Sequence, residues 1–406
     1  MERTYGHSRA IGLVLLTGVG LSFAWPVAAE TGDWLAGDVF IAVGDGAYQV
    51  YDRQGEFKHF IRDEQRGFTT NCAFNPGLDK LYTANYTHTR VVVYDNAPAH
   101  PIVQTIDTRA TSPGGHSGAL VFDAEGSLYV GHPDGNELIH KYNEAGMLLA
   151  TFNVAVDGWG TDWIDLASDL TTLFYSSEER TILRFDTATN TQLADFAELP
   201  GAGHAFALRL LPPGDGSGGL LVADESDIKR LDGAGHVVQI YDDAGQDDWF
   251  ALNLDPGGTA FWAADSDTDR LYRFNIATGA IERQFTAGPG NTISGVCVKG
   301  EITAGVPQSR SFLPQTYSLS QNAPNPFNPS TQIEYHLPEA AEVSMTVYNL
   351  LGQQIRTLVQ GVQQAGLNRV NWDGTDRDDR PVSSGVYLYR FVSEDRVESR
   401  RMLLLK

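Results

Sequence analysis

Between residues 35 and 300 the hydrophobic and polar positions recur as a unit of four short runs, and the stretch ending at Phe285 is its cleanest copy. Trp249 to Leu254 is an apolar run closed by Asp255-Pro256-Gly257. Ala260 to Ala264 is a second, followed by the polar turn Asp265 to Asp269. Arg270 to Asn275 alternates and ends on an aromatic, and Thr278-Gly279 turns the chain into Ala280 to Phe285. Short runs of this kind, separated by Gly, Pro and Asp clusters, predict four antiparallel strands.

The copies index on an aromatic or aliphatic residue followed by Asp or Asn at the end of the third run: Tyr51-Asp52, Tyr94-Asp95, Tyr142-Asn143, Phe185-Asp186, Leu231-Asp232 and Phe274-Asn275. Neighbouring anchors lie 43 to 48 residues apart, the interval of a propeller blade, and six anchors predict six blades. The first copy begins at its second strand, Asp38 to Val43, whereas Ile293 to Val298 is an inner strand with no blade behind it. The last strand is therefore expected to complete the first blade and close the ring, leaving no open sheet edge. Tyr82, Tyr129, Phe174 and Trp262 recur on the second strands, where large side chains must fill the wedge between blades.

Past Gly300 the pattern changes. Residues 303–319 contain Pro307 and Pro314 without periodicity and are expected to form a linker. Six further runs, Gln332 to Leu337, Glu342 to Leu350, Gln354 to Val359, Leu367 to Trp372, Val386 to Ser393 and Arg400 to Leu405, predict a small antiparallel sandwich. The fold class is thus all-β: a six-bladed β-propeller over residues 30–302, then an immunoglobulin-like sandwich over residues 320–406. At the other end, Arg3 and Arg9 precede an apolar run and the small residues Val27-Ala28-Ala29, the layout of a signal peptide spanning residues 1–29. No other stretch is long and apolar enough to span a membrane as a helix, so export to the periplasm and beyond is expected.

Composition sharpens this picture. The formal charge of −22 speaks against nucleic acid, whose phosphates need a basic face. Two cysteines, Cys72 and Cys297, make no disulfide framework. Both fall on expected inner strands of neighbouring blades, where a bridge is conceivable; the reading taken is two buried free thiols.

The C-terminal region carries ordered motifs: Asn322-Ala-Pro-Asn-Pro-Phe-Asn-Pro-Ser-Thr331, Val347-Tyr-Asn-Leu-Leu-Gly352, Asn371-Trp-Asp-Gly374, Ser384-Gly-Val-Tyr387 and Arg400-Arg-Met-Leu-Leu-Leu-Lys406. On these it resembles the FlgD-like immunoglobulin-type domain and the sorting module of type IX secretion. The resemblance implies contact with secretion machinery and delivery to the cell surface or medium, and implies nothing about cargo chemistry. On Leu81-Tyr-Thr-Ala-Asn85 and Leu128-Tyr-Val-Gly-His132 the propeller resembles NHL, YncE-like and virginiamycin B lyase-like propellers, a likeness of architecture that does not select a function.

Candidate chemistry is sparse. There is no G-x-S-x-G elbow, HExxH pair or phosphate loop. Asp265-Ser-Asp-Thr-Asp269 begins like a calcium loop but lacks its glycine and terminal glutamate, and is read as a solvated hairpin tip. Asp373, Asp376, Asp378 and Asp379 crowd a turn in the C-terminal region. Aligning the inner strands places His116, Asp162, His204 and Asp248 at one repeat position in four successive blades, with Phe68 and Thr292 as counterparts in the other two. The reading taken is that each simply ties down the turn entering its strand; the alternative is a ligand site, since two imidazoles and two carboxylates at the channel mouth suit a divalent cation or acid-base work. Trp163 and Trp249 beside them, and Trp159 nearby, are read as packing residues, with a binding wall as the alternative. Two functional readings follow. The favoured one is a binding propeller for a protein, glycan or small ligand; the alternative is a lyase or hydrolase using a divalent cation at the channel.

Overall fold

The computed structural model describes residues 34–302 and 318–405, apart from 98, 113, 134–137, 202, 288–292, 338–340, 364–365, 379 and 394–395. The signal segment and almost all of the linker lie outside the described residues.

Six antiparallel sheets occupy residues 39–298, five of four strands and one of five. Their inner strands are Gly295–Val298, Thr69–Phe74, Ala119–Phe122, Trp163–Leu166, Ala205–Leu210 and Trp249–Leu254, for blades one to six. Each inner strand touches the next, and the sixth touches the first, so the six make a closed ring. Closure is of the expected kind: Gly295–Val298 pairs antiparallel with Val39–Ala42, Val39 opposite Val298 and Ala42 opposite Gly295. Blade four alone divides its outer strand, into Thr191–Gln192 and Ala197–Glu198, both paired to Thr181–Asp186.

The repeated motif now has a physical cause. In each blade the Asp or Asn after the anchor accepts hydrogen bonds through its side-chain oxygen from backbone N–H groups two to four residues on: Asp52 from Gln54 and Glu56, Asp95 from Ala97, Asn143 from Met147, Asp186 from Ala188, Asp232 from Ala234 and His236, Asn275 from Ala277. This side-chain cap builds the hairpin between third and outer strands. The preceding anchor ring or leucine is buried in every blade. Each anchor pair therefore joins a core position to a turn position, which is why it repeats. The second-strand aromatics Tyr82, Tyr129, Phe174 and Trp262 are at most 2 % exposed and pack between blades as expected.

The cysteines require a correction. Cys72 and Cys297 form a disulfide, with Cα atoms 5.6 Å apart. They sit on the inner strands of blades two and one, and a close approach makes the bond possible. A Cβ on Gly295 would lie 2.1 Å from the carbonyl oxygen of Thr70, so only glycine lets the closing strand come this near its neighbour. Register between blades, which the pattern of one strand cannot supply, decides the matter.

In the C-terminal region, a sheet of Ser318–Leu319, Thr331–Leu337 and Gly366–Trp372 accompanies one of Gln354–Gln363, Ala341–Asn349, Gly385–Ser393 and Arg396–Leu404. A single apolar core containing Ile333, Val347, Trp372 and Phe391 lies between them. Ser318 and Leu319, expected in the linker, instead pair with His336 and Tyr335. No helix among the described residues is long and apolar enough to cross a membrane.

The disulfide joins residues 225 apart, and in the chain-entropy account closing so long a loop stabilises by about 5 kcal/mol, with measured losses of about 2–5 kcal/mol on removal. The Cys72→Ala/Cys297→Ala variant is expected to unfold at lower urea concentration by an amount in that range. Denaturation of both proteins, with and without reductant, checks this; equal midpoints under oxidising conditions would show that strand pairing alone holds the ring.

Candidate functional site

The inner strands all enter the ring from one face, and at this end of the channel the structure gathers rings. Phe68 and Tyr86 meet edge to face at 5.9 Å, and the His116 imidazole lies flat on Tyr86 at 4.0 Å. Across blades four to six, Trp163 contacts Phe250 at 6.0 Å, Phe250 contacts Phe206 at 4.9 Å, and Phe206 is followed by His204 at 6.3 Å. Trp163 belongs to blade four and Phe250 to blade six, so the indole reaches past the intervening blade along the channel.

Irregular pairing puts Phe206 and Phe250 there. The register slips between Ala205 and Leu208 and between Trp249 and Ala251, and again between Thr69 and Cys72 in blade two. A β-bulge re-aims the side chain of its extra residue. Phe206 and Phe250 are accordingly half-buried, while Ala205, Ala207, Trp249 and Ala251 on either side are fully buried. Repeat alignment reveals neither ring, because a bulge leaves no mark in an apolar run.

The four aligned residues take the expected repeat position but are not drawn to one point. His116 Nδ1–H donates to the carbonyl of Tyr86 at 2.9 Å, and His204 Nδ1–H donates to the carbonyl of Glu178 at 2.9 Å. Each histidine thus ties its strand entry to the preceding blade, and since a carbonyl only accepts, the ring proton sits on Nδ1. The Asp162 N–H donates to the Ser176 carbonyl, and the Asp248 N–H to Asp265 Oδ2 at 3.0 Å. Among the described residues no three His, Cys, Asp or Glu side chains are grouped so as to hold a metal ion; the metal set is not assembled in this structure. The counterpart Thr292 lies outside the described residues.

The tryptophans divide. Trp249 is fully buried against Tyr272 and Phe274, with Nε1 donating to Asp242 Oδ1 at 3.3 Å, so it packs the blade and does not line the mouth. Trp163 is 2 % exposed and its Nε1–H has no partner. Trp159 is 59 % exposed nearby. The Asp265 to Asp269 tip also differs from expectation. Asp265 and Asp269 are buried, because Asp265 accepts from the N–H groups of Asp248 and Thr268, and Asp269 from Ile293.

Behind His116 stands a pair of histidines that the repeat position does not predict. His132 Nδ1–H donates to the His116 carbonyl at 3.0 Å, leaving Nε2 to accept from His140 Nδ1–H at 2.8 Å. Burial, then the neighbouring imidazole, pushes His132 down to about 3, so it is neutral at physiological pH.

The opposite end of the channel is ionic. Arg209 of blade five donates through Nε to Glu301 Oε1 at 2.8 Å, and Glu301 also accepts from the Leu254 N–H of blade six at 2.9 Å. Asp165 of blade four accepts from the Leu210 N–H at 2.8 Å and lowers the cost of burying Arg209. Glu301 follows the closing strand, so the segment that seals the ring also supplies the carboxylate that satisfies this arginine. Burial pushes Glu301 up to about 7 against the pull of Arg209, and burial likewise raises Asp165.

Residues 328–396 match the FlgD Ig-like domain. They fall within the C-terminal sandwich, whose motifs carry the resemblance noted above. No curated protein matches the chain.

The raised Glu301 sets a pH dependence. Between the unfolded value of 4.5 and about 7 the folded protein keeps a proton that the unfolded chain has released, so stability from this group is full at low pH and is lost as pH rises through that window. Relative to Glu301→Gln, the parent is expected to lose about 2 kcal/mol between pH 5 and 7.5. Urea denaturation of both proteins across that range checks it; parallel pH profiles would overturn it.

Proposed function

We propose that this is an exported six-bladed propeller that binds a protein, glycan or small-molecule partner at the entry mouth of its channel, and that the C-terminal Ig-like module delivers it to the cell surface. The observation that carries the binding reading is the pair of bulges that turn Phe206 and Phe250 out of the core, with Phe250 against the Trp163 ring. Half-buried rings at a channel mouth give a ligand contact area. The alternative, a lyase or hydrolase with a divalent cation at the channel, would need His116, Asp162, His204 and Asp248 to converge. The side chains of His116 and His204 bond instead to separate backbone carbonyls, which favours the binding reading.

The delivery reading rests on the FlgD Ig-like match at residues 328–396 and on the signal-like layout of residues 1–29. Passage through the periplasm agrees with the disulfide, since such bonds persist in oxidising compartments. The NHL-like and type IX assignments are the finer form of the same proposal.

Two experiments separate the parts. A ligand found by screening peptides, glycans and metabolites against the parent is expected to bind the Phe206→Ala/Phe250→Ala variant at least about tenfold more weakly, at the cost of two aromatic contacts of about 1 kcal/mol each. Unchanged affinity, with an unchanged melting temperature, would move the site elsewhere. Deleting residues 318–406 is expected to leave a propeller that melts like the parent's and stays in the periplasm of the native host. Fractionation with an antibody to the propeller decides this, and undiminished surface display would reduce the module to a spacer.

A further inference from the structure

Along the blades, carboxylates stand beside cations: Asp38 pairs with Lys58, Asp63 with Arg90, Asp123 with Lys141, Asp224 with Lys229 and Asp255 with Arg273. The entry loops of blades four to six, residues 154–162, 177–180, 199–204, 225–227, 242–248 and 266–269, break this balance. They carry acids on every blade, Glu178, Glu225 and Asp248 among them, and one basic side chain, Arg180. Its guanidinium is turned to the Leu199 carbonyl and to Glu198 on the outer strand of blade four. The mouth therefore has an excess of negative charge on the side where its rings lie.

These acids flank the rings. The Glu178 carbonyl accepts from His204 Nδ1–H at 2.9 Å, and the Glu225 carbonyl from the Trp249 N–H at 2.8 Å. Each glutamate is thus fixed beside the residue that leads into Phe206 or Phe250, and Asp248 precedes Phe250 by two positions. All three acids are half-buried, as are the two phenylalanines. Apolar rings and carboxylates at one opening attract a cation, the rings through their electron-rich faces and the acids through their charge.

The layout of the rings selects among cations. His204, Phe206, Phe250 and Trp163 follow one another at 6.3, 4.9 and 6.0 Å. Rings in mutual contact leave no gap for a cation to enter, whereas a quaternary ammonium is held by an enclosing aromatic cage. A guanidinium is planar, so it can lie on a ring face and still turn its fork of N–H donors to a carboxylate. A row of rings with acids along its sides offers both contacts at once. The same charges select the carrier. Free arginine would bring its own carboxylate against the acidic loops, and like charges repel; an arginine within a chain brings none.

We propose that the mouth receives an arginine-bearing segment of a partner protein, with a guanidinium laid on Phe206 and Phe250 and forked to Glu178 or Glu225. This rests on the channel mouth being the binding site and names the chemistry of its occupant.

The test is fluorescence anisotropy on the full chain at physiological salt, with a capped, labelled peptide in which two arginines alternate with glycines, and with counterparts carrying lysine, glutamate or alanine in their place. The arginine peptide is expected to bind more tightly than the lysine peptide, and the other two not to bind measurably. Free arginine and tetramethylammonium are expected to compete at least about tenfold more weakly than the unlabelled arginine peptide. Affinity is expected to fall about tenfold in Phe206→Leu/Phe250→Leu, which keeps apolar bulk and removes the ring faces, and by a similar factor in Glu178→Gln/Glu225→Gln, which keeps shape and removes charge. The glutamine variant alters no core position and is expected to melt like the parent, which separates lost binding from lost fold. Equal removal of charge at the exit end, in Glu56→Gln/Glu125→Gln, is expected to leave binding as in the parent. No binding of the arginine peptide, equal binding of the lysine peptide, or stronger competition by tetramethylammonium or free arginine would overturn the proposal. Binding of the glutamate or alanine peptide that the leucine variant loses would keep the mouth as the site and overturn its assignment to arginine. An arginine peptide that binds every variant alike would place its site away from the mouth and overturn the proposal as well.

Discussion

Ring closure is the constraint on which the propeller depends. Six blades contact one another chiefly through neighbouring sheet faces, and a chain that simply ran through six hairpin pairs would leave an inner strand and a blade edge exposed at its two ends. The molecule resolves this by pairing Gly295–Val298 with Val39–Ala42 and then fixing the seam with the Cys72–Cys297 bond. The seam is covalent between blades one and two, one interface beyond the paired strands, so strand pairing and disulfide secure two different contacts of the ring. Gly295 matters to both, since it stands opposite Ala42 and also admits the Thr70 carbonyl.

From closure follows the unequal character of the channel's two ends. The segment leaving the closing strand turns across the exit end, where Glu301 meets Arg209 and the Leu254 N–H. A buried guanidinium needs such partners, because an unpaired charge there would cost several kcal/mol. At the entry end the bulges face no such segment among the described residues, and the half-buried rings of Phe206 and Phe250 remain at the surface. A ligand approaching the molecule therefore finds rings at one end and a satisfied ion network at the other, although all six inner strands run the same way.

Much of this architecture is legible in the residues. Blade count, strand order and the closing strand come from one repeated unit, because Tyr51-Asp52 and its five equivalents each combine a core anchor with a turn cap, and both roles are local. The sandwich strands are legible for the same reason, down to the six main runs; Ser318–Leu319 is not, since two residues carry no period. What escapes is whatever depends on register between blades. Cys72 against Cys297 and the exit network of Asp165, Arg209 and Glu301 each join residues from different sheets. Phe206 and Phe250 escape for a different reason. A bulge adds a residue to a strand without altering its composition, so the sequence reads Phe206 as one more core position.

The fate of His116 and His204 shows how repeat symmetry can mislead about chemistry. Residues at one repeat position lie on a circle whose radius is set by the inner strands, and equivalence keeps them apart as surely as it aligns them. Direct metal coordination requires ligands within about 2.0–2.3 Å of a common centre. Symmetry-related side chains across a six-bladed ring reach that only if they extend inward, and each histidine here turns sideways to the carbonyl of the blade before it. The side chain that does cross the ring is Trp163, which touches a residue two blades away. Convergence at the mouth is thus achieved by the largest side chain and by two bulges, all of them departures from the repeat. Function in such a ring should accordingly be sought where the copies differ.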